Sequence, residues 1–203
     1  MSLSTTTGFR LLPGRLSPQA QTDLLAQVLA RIEQAPLVHQ VTPGGKPMSV
    51  AMTSLGSLGW TTDAAGYRYE PHHPTTGATW PDIPQVLLDL WAELAHSVVP
   101  PDACLVNFYN ANAKMGLHQD KDEADLQFPV LSVSLGDTAV FRMGGAKRSD
   151  PTQSVRLASG DVCLLAGEAR LFHHGVDRIL AGSSRLIPGG GRINLTLRRA
   201  SSA

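Results

Sequence analysis

The sequence lacks the features of membrane, secreted and disordered proteins. Its longest apolar candidate, Val162 to Gly167, is far shorter than the roughly 20 residues that a membrane-spanning helix needs. Only two cysteines are present, Cys104 and Cys163, and both lie inside apolar segments. The first residues, MSLSTTTGFR, have neither the charged start nor the apolar stretch of a secretory signal. These absences predict a soluble protein of the reducing cytoplasm, without a membrane partner.

The sequence also lacks a net charge, since 17 basic residues balance 17 acidic ones, so no overall field draws it to nucleic acid or membrane. The charges are nevertheless unevenly spread. Residues 140–203 contain ten Lys or Arg and four acids, whereas residues 102–125 contain five acids and two lysines. The acidic stretch suits a metal or a cationic ligand, and the alternative is two solvated faces of opposite sign.

The length of 203 residues and the hydrophobic content of 42% predict one globular domain. Apolar residues at helical spacing predict one helix from Ser17-Pro18 to Pro36 and another through Ile83 to Leu94, both covering a sheet. After Pro101 the period changes to two. The predicted strands are 103–109, 115–120, 130–135, 138–143, 154–158, 161–166, 170–176 and 192–198. Eight short strands predict a mainly β fold with flanking helices, a double-stranded β-helix or jelly roll.

We divide this single domain into four segments. They are an N-terminal extension and helix (1–36), a lid (37–80), a supporting helix (81–100) and a jelly-roll core (101–203). The lid is predicted because turns and aromatic residues are concentrated between Trp60 and Trp80. The alternative is that these rings only cover the sheet.

A histidine and an aspartate at the end of a predicted strand form the first candidate site. His118 and Asp120 are two residues apart, so the alternation of a strand points both side chains to one face. A second imidazole far along the chain, His174, would complete the two-histidine, one-carboxylate triad that binds non-haem Fe(II) with open coordination positions. Lone histidines are more often structural, so this pattern needs a second observation.

The last predicted strand supplies that observation. In residues 192–198 Arg, Asn and Thr alternate with Ile and Leu, so one face is polar throughout. Two arginines on the inner face of a jelly roll would be costly unless they met anions, and a guanidinium is suited to gripping a carboxylate. Asn107 and Tyr109 share one face of their own strand and add donors. The pattern predicts a pocket for a small dicarboxylate beside a metal, unless the polar face looks outward into solvent.

The sequence that contains these candidate residues resembles the AlkB family of Fe(II)- and 2-oxoglutarate-dependent DNA repair dioxygenases. The resemblance runs from about Met48 to Arg198 and rests above all on two strings, His118-Gln119-Asp120-Lys121-Asp122-Glu123 and Arg192-x-Asn194-Leu195-Thr196-x-Arg198. It implies that the iron ligands are His118, Asp120 and His174, because the family ligand is the histidine directly before glycine, which leaves His173 as the alternative. The residues implied to hold 2-oxoglutarate are Arg192 and Arg198, aided by Asn107, Tyr109 and Asn194.

The resemblance also implies that segment 37–80 is a nucleotide-recognition lid. The implied substrate-binding residues are Trp60, stacking on a flipped base opposite His118; Tyr67, holding the nucleic acid backbone; Asp122 and Glu123, recognising the base edge; and Arg148, lining the pocket. The basic C-terminal third would bind phosphates.

The implied activity is oxidative demethylation of N-alkylated bases, such as 1-methyladenine and 3-methylcytosine, as direct reversal of DNA damage. It would use Fe(2+), 2-oxoglutarate and O2 and release formaldehyde, succinate and CO2. The expected partners are single-stranded DNA, then double-stranded DNA and RNA, bound by a monomer. Two alternatives are a 2-oxoglutarate-dependent hydroxylase of a protein or small molecule, and a non-enzymatic jelly-roll module that binds nucleic acid.

Overall fold

The computed structural model describes residues 3–6 and 8–202. Met1, Ser2 and Thr7 of the predicted extension and Ala203 of the predicted core lie outside the described residues. The helices are α1 Pro18–Gln34 and α2 Gln85–Leu94, with a 3-10 helix at Gly167–Leu171. The strands are β1 Leu3–Thr6, β2 Phe9–Leu12, β3 Val38–Val41, β4 Pro47–Gly56, β5 Gly59–Asp63, β6 Gly66–Glu70, β7 Ala103–Tyr109, β8 Met115–His118, β9 Val130–Gly136, β10 Thr138–Met143, β11 Gln153–Leu157, β12 Val162–Leu165, β13 His174–Leu180 and β14 Arg192–Arg198.

The strands form three antiparallel sheets. The major sheet has the order β1-β2-β12-β9-β14-β7-β4-β3, the minor sheet has the order β11-β10-β13-β8, and β5 and β6 form a separate hairpin. The predicted mainly β fold of the jelly-roll type, with flanking helices, is therefore confirmed. Within the described residues, neither helix is long and apolar enough to cross a membrane.

Two apolar clusters position the sheets. In the first, Leu24 and Val28 of α1 and Trp91 of α2 pack with Val106 and Leu195 of the major sheet. This confirms the prediction that both helices cover a sheet. In the second cluster the other face of the major sheet meets the minor sheet, for example through contacts among Phe9, Leu105, Phe141 and Val176. The space between the two sheets is where a cavity can form.

Two predicted strands near this space need correction, and one strand beside it is not predicted. The predicted strand 170–176 is wrong at its start, because Gly167–Leu171 is a 3-10 helix and the strand runs His174–Leu180. The buried Arg170 guanidinium donates to the carbonyls of Phe128 and Asp120, at 2.8 and 2.5 Å, which draws this segment out of the sheet. The predicted strand 115–120 ends at His118, since Arg170 occupies the Asp120 carbonyl. The strand β2, which pairs with β12, is not predicted at all.

Segment 37–80 has two parts. The strands β3 and β4 extend the major sheet through β7, whereas β5 and β6 form the hairpin. Trp80 is buried, and its indole N–H donates to the Glu70 carbonyl at 2.8 Å. This ring packs against the hairpin, since a Cβ at Gly59 would meet the Trp80 indole.

Candidate active site

A cavity of about 450 Å³ lies between the two sheets and the β5–β6 hairpin. The side chains of Arg192, Asn194, Thr196 and Arg198 line it, while the intervening Ile and Leu residues of β14 pack toward the helices. All seven residues of β14 are buried. The predicted alternation is confirmed, and the alternative of a polar face in solvent is excluded. A volume of this size is typical of a site for small molecules.

Three potential metal ligands meet in this cavity. Ligand atoms of His118, Asp120 and His174 all lie within 4.8 Å of one another. The pairing of β8 with β13 causes this, because it places His174 directly opposite His118. The Nε2 atoms of the two imidazoles lie 3.6 and 3.7 Å from the Asp120 carboxylate. His173 instead faces the Gly145 carbonyl, with Nδ1 at 3.3 Å.

Backbone carbonyls orient both imidazoles. Nδ1 of His118 lies 2.9 Å from the Gly116 carbonyl, and Nδ1 of His174 lies 2.9 Å from the Phe172 carbonyl. A proton on each Nδ1 donates to these oxygens, so each Nε2 lone pair is available for a metal. Burial lowers the pKa of His174 to about 4, although the negative charge of Asp120 acts to raise this pKa. His174 is therefore neutral at pH 7, as a metal ligand must be.

Asp120 stays ionised although it is buried. Burial acts to raise the pKa of this carboxyl, but the Arg198 guanidinium at 2.8 Å and the two nearby imidazoles outweigh burial and hold the pKa well below its usual range. Two imidazoles and one carboxylate are the donor set of non-haem iron sites.

Arg192 has unpaired donors inside the cavity. The residue is 1% exposed, and Nη2 donates to the Ser134 hydroxyl at 3.0 Å. Among the residues that the structure describes, Nε and Nη1 have no hydrogen-bond partner. Buried N–H groups without partners cost free energy, which an anion in the cavity would offset. The Tyr109 ring lies 5.3 Å from this guanidinium, and Asn107 Oδ1 also lacks a donor within the described residues.

A buried network around Glu123 connects the cavity to the hairpin. The Glu123 carboxylate accepts from the Tyr69 hydroxyl at 2.7 Å and from Arg170 Nη2 at 3.0 Å, and it lies 3.1 Å from Arg198 Nε. Arg170 and Tyr69 are not among the predicted site residues. Arg170 lies within the stretch from about Met48 to Arg198 that resembles the family, which is the signal that could have identified it. Both Glu123 oxygens are thus occupied by protein donors.

The residues predicted to bind substrate lie together at the edge of the cavity. Trp60 stacks on Tyr67 with ring centroids 5.5 Å apart, and its indole N–H donates to Asp122 at 2.8 Å. Tyr67 is 50% exposed. Arg148 Nη1 donates to the Leu117 carbonyl at 2.5 Å, directly before His118. An exposed aromatic surface and a carboxylate therefore lie next to the three potential ligands.

The fold and the cavity are those of the iron- and 2-oxoglutarate-dependent oxygenases, and the model of the 2OG-Fe(II) oxygenase superfamily matches residues 8–198. The chain belongs to this superfamily and, within it, to the AlkB family. It is 65% identical to the alpha-ketoglutarate-dependent dioxygenase AlkB homolog of Caulobacter vibrioides over 201 residues. This alignment covers 99% of the chain and 91% of that protein. It is 45% identical over 190 residues to AlkB of Escherichia coli, with 92% and 88% covered.

A solved structure of OsALKBH1 has the same architecture. It superposes with a TM-score of 0.81 at 32% sequence identity and covers 98% of this chain and 100% of that one. The chain is an Fe(II)- and 2-oxoglutarate-dependent dioxygenase that uses O2. The triad and the unpaired Arg192 donors fit this cofactor set.

Proposed function

We propose that the enzyme removes methyl groups oxidatively from base nitrogens in DNA, as a direct reversal of alkylation damage. The observation that carries this proposal is the surface of Trp60, Tyr67 and Asp122 beside the triad. 1-Methyladenine and 3-methylcytosine are cationic, so an aromatic face offers cation–π contact and a carboxylate offers charge attraction. Similar proteins named a DNA N(6)-methyladenine demethylase in Arabidopsis thaliana and a nucleic acid dioxygenase in Mus musculus support a nucleic acid substrate.

In this proposal the cavity residues divide into two groups. His118, Asp120 and His174 hold Fe(II), and Arg192 and Arg198 grip the two carboxylates of 2-oxoglutarate, with Asn107, Tyr109 and Asn194 beside them. When bound, the metal and 2-oxoglutarate supply the activation of O2 that hydroxylates the methyl group, which then leaves as formaldehyde. The buried arginines orient the cosubstrate by charge-assisted hydrogen bonds, and the apolar cluster between the sheets borders this part of the cavity.

The edge of the cavity binds the base in this proposal. Trp60 stacks on it opposite His118, and Asp122 accepts hydrogen bonds from its edge. Tyr67 contacts the backbone beside it, and Arg148 lines the pocket. The methyl groups in question lie on the pairing edge, so the base must leave the stack before it can react. Single-stranded DNA is therefore the preferred substrate, with double-stranded DNA and RNA as further ones.

The proposal extends to a monomer working in the cytoplasm. Both cysteines, Cys104 and Cys163, are buried free thiols, and burial raises the pKa of the Cys104 thiol to about 12 and that of Cys163 to about 11. Unreactive thiols without a disulfide suit a reducing compartment.

The decisive experiment supplies Fe(II), ascorbate and 2-oxoglutarate with a single-stranded oligonucleotide that carries one 3-methylcytosine. Loss of one methylene's mass with an equal amount of succinate supports demethylation. Succinate without demethylation points to the hydroxylase of a protein or small molecule, and neither product from iron-loaded enzyme points to the binding module.

Replacing the stacking ring separates substrate binding from the iron site. We expect Trp60→Ala to lower demethylation by about 5–150-fold, because base stacking contributes about 1–3 kcal/mol per base. The same variant keeps the weak visible band of the anaerobic Fe(II) and 2-oxoglutarate complex, whereas Asp120→Ala loses that band. Demethylation at the parental rate in Trp60→Ala would contradict the stacking role.

A further inference from the structure

The outer face of the minor sheet, which looks away from the cavity, carries a group of arginines. On β10 the side chains of Ala139, Phe141 and Met143 are buried in the cluster between the sheets. Because side chains alternate along a strand, Val140 and Arg142 lie on the other face. The register places Val140 between Arg156 of β11 and Arg178 of β13. We call Arg142, Arg156 and Arg178 the arginine face.

The charges of the arginine face are weakly compensated. Within residues 3–6 and 8–202, neither Arg142 nor Arg156 has a carboxylate partner; Arg142 donates to the Thr152 hydroxyl at 2.8 Å. In the part of the chain that the structure describes, Arg178 pairs only with the adjacent Asp177, at 2.8 Å on the exposed surface, where an ion pair contributes little. Strand spacing separates the Cα atoms of Arg156 and Arg178 by about 10 Å. Screening by salt weakens the repulsion between exposed charges at this distance, and an anion that contacts both would be attracted to each.

Positive charge continues from this face to the cavity. The connection between β10 and β11 carries Lys147 and Arg148, and Arg148 lines the cavity. Asp150 is the acid of this connection, and its carboxylate accepts the Lys147 backbone N–H at 2.9 Å. Lys147 and Arg148 are exposed. The basic surface therefore runs from the rim of the cavity, through this connection, onto the arginine face.

We propose that the arginine face binds the phosphates of the nucleic acid strand that extends beyond the target base. This inference rests on the proposed function, because the cavity takes one base and the strand that carries it must continue over the protein surface. A nucleic acid strand presents one negative charge about every 3.4 Å along its axis. It can therefore contact several separated arginines at once, which a single small anion cannot. The arginine face increases the affinity for longer strands, and it leaves the chemistry in the cavity unchanged.

The double variant Arg156→Gln/Arg178→Gln tests this inference. Both side chains are exposed and lie outside the cavity, so folding is preserved. The matched control is Arg15→Gln/Lys46→Gln, which removes two surface positive charges from outside residues 140–203. Binding of a long, undamaged single-stranded oligonucleotide is measured at several salt concentrations. We expect the slope of log K against log salt to decrease by about 0.7 per lost contact, hence by about 1.4 in the double variant and not in the control.

A second substrate distinguishes the two proposals. A trinucleotide with a central 3-methylcytosine reaches the cavity but not the arginine face, so the double variant demethylates it with the parental kcat/KM. An unchanged salt slope, or an equal decrease in the control, overturns the arginine face as a phosphate site. If the slope decreases but the parent enzyme demethylates neither the trinucleotide nor a long oligonucleotide that carries one 3-methylcytosine, the surface stands and the proposed reaction fails.

Discussion

Arg198 lies between two carboxylates, with Asp120 at 2.8 Å and Glu123 at 3.1 Å, and all three side chains are buried. Removing one member of such a group leaves an uncompensated buried charge, which is far more costly than losing a surface pair. Tyr69 and Arg170 hold Glu123 from the other side. The direction of the Arg198 guanidinium is thus set by Glu123 as well as by Asp120.

We expect Glu123→Gln to weaken 2-oxoglutarate binding, because the charge that orients Arg198 is lost while the shape remains. Outer partners of a metal site change affinity about 10–100-fold when altered, and a similar decrease is expected here. The dissociation constant of 2-oxoglutarate in the presence of Mn(II) measures it. Tyr69→Phe, which removes only one hydrogen bond to Glu123, serves as the milder comparison.

Binding of the methylated oligonucleotide, measured beside binding of 2-oxoglutarate, tests the base-edge role that the resemblance implies for Glu123. If Glu123→Gln leaves 2-oxoglutarate affinity unchanged and weakens only binding of the methylated oligonucleotide, Glu123 acts on the base and not on Arg198.

At the scale of elements, the pairing of β8 with β13 brings the two histidines together. Gly175, which follows His174, lies against the backbone of β8, and an added Cβ would come within 2.5 Å of the Met115 carbonyl oxygen. This close approach explains physically why a glycine follows the histidine at this position. A side chain there must push β8, and with it His118, away from His174.

We therefore expect Gly175→Ala to weaken metal binding, with a loss of about tenfold or more in Mn(II) affinity, because ligand orientation controls it. Gly116→Ala is the matched control on the neighbouring strand, since a Cβ at Gly116 would meet nothing within 4 Å. Titration of both variants with Mn(II) checks the prediction. Equal affinities in the two variants would show that β8 tolerates the displacement.

The glycine-rich connection before β14 depends on one buried carboxylate. Asp137 accepts the backbone N–H groups of Gly191 at 2.9 Å and Ser184 at 3.0 Å. Gly189, Gly190 and Gly191 all have positive φ, a region that other residues rarely adopt. Burial acts to raise the pKa of Asp137, but these backbone donors outweigh burial and hold the pKa below its ordinary value.

We expect Asp137→Ala to lower the free energy of unfolding at pH 7 by about 1–3 kcal/mol, since it leaves buried N–H groups unpaired. Because the folded-state pKa is lowered, the charged Asp137 stabilises the fold above its ordinary pKa, and this contribution is lost as the pH falls through the folded-state value. Denaturant unfolding of both proteins over a pH series measures the difference. A gap that stays constant into acid would contradict the ionised role.

At the scale of the whole molecule, the two sheets share the site. The arginines proposed to hold 2-oxoglutarate come from β14 of the major sheet, while His118 and His174 come from β8 and β13 of the minor sheet. Metal and cosubstrate bound together would therefore link the two sheets across the cavity.

We expect Mn(II) and 2-oxoglutarate together to stabilise the fold more than the sum of their separate effects. A ligand at about 100 times its Kd contributes about 2.7 kcal/mol, and each ligand improves the site for the other. Thermal unfolding with each ligand, with both, and after a chelator measures this. His174→Ala removes the Mn(II)-dependent part, and purely additive shifts would argue against a shared site.

Much of the fold was predictable because it depends on neighbouring residues. The helices α1 and α2 and the strand β14 follow from periods of 3.6 and 2, and the polar face of β14 from the same alternation. The strand predicted at 170–176 fails for the opposite reason. Arg170 is held by Phe128 and Asp120, 42 and 50 residues away in the chain, and no local pattern reports such contacts.

The sequence by itself determined the residue types of the candidate site: two histidines, a carboxylate and two arginines in strings that resemble one family. Only the tertiary structure decided which donors are already occupied, since this depends on long-range pairing and burial. It leaves Arg192 Nε and Nη1 without partners among the described residues, while it surrounds Glu123 with Tyr69, Arg170 and Arg198. It also turns Arg142, Arg156 and Arg178 to one outer face, because strand register, and not sequence distance, sets which side chains are neighbours.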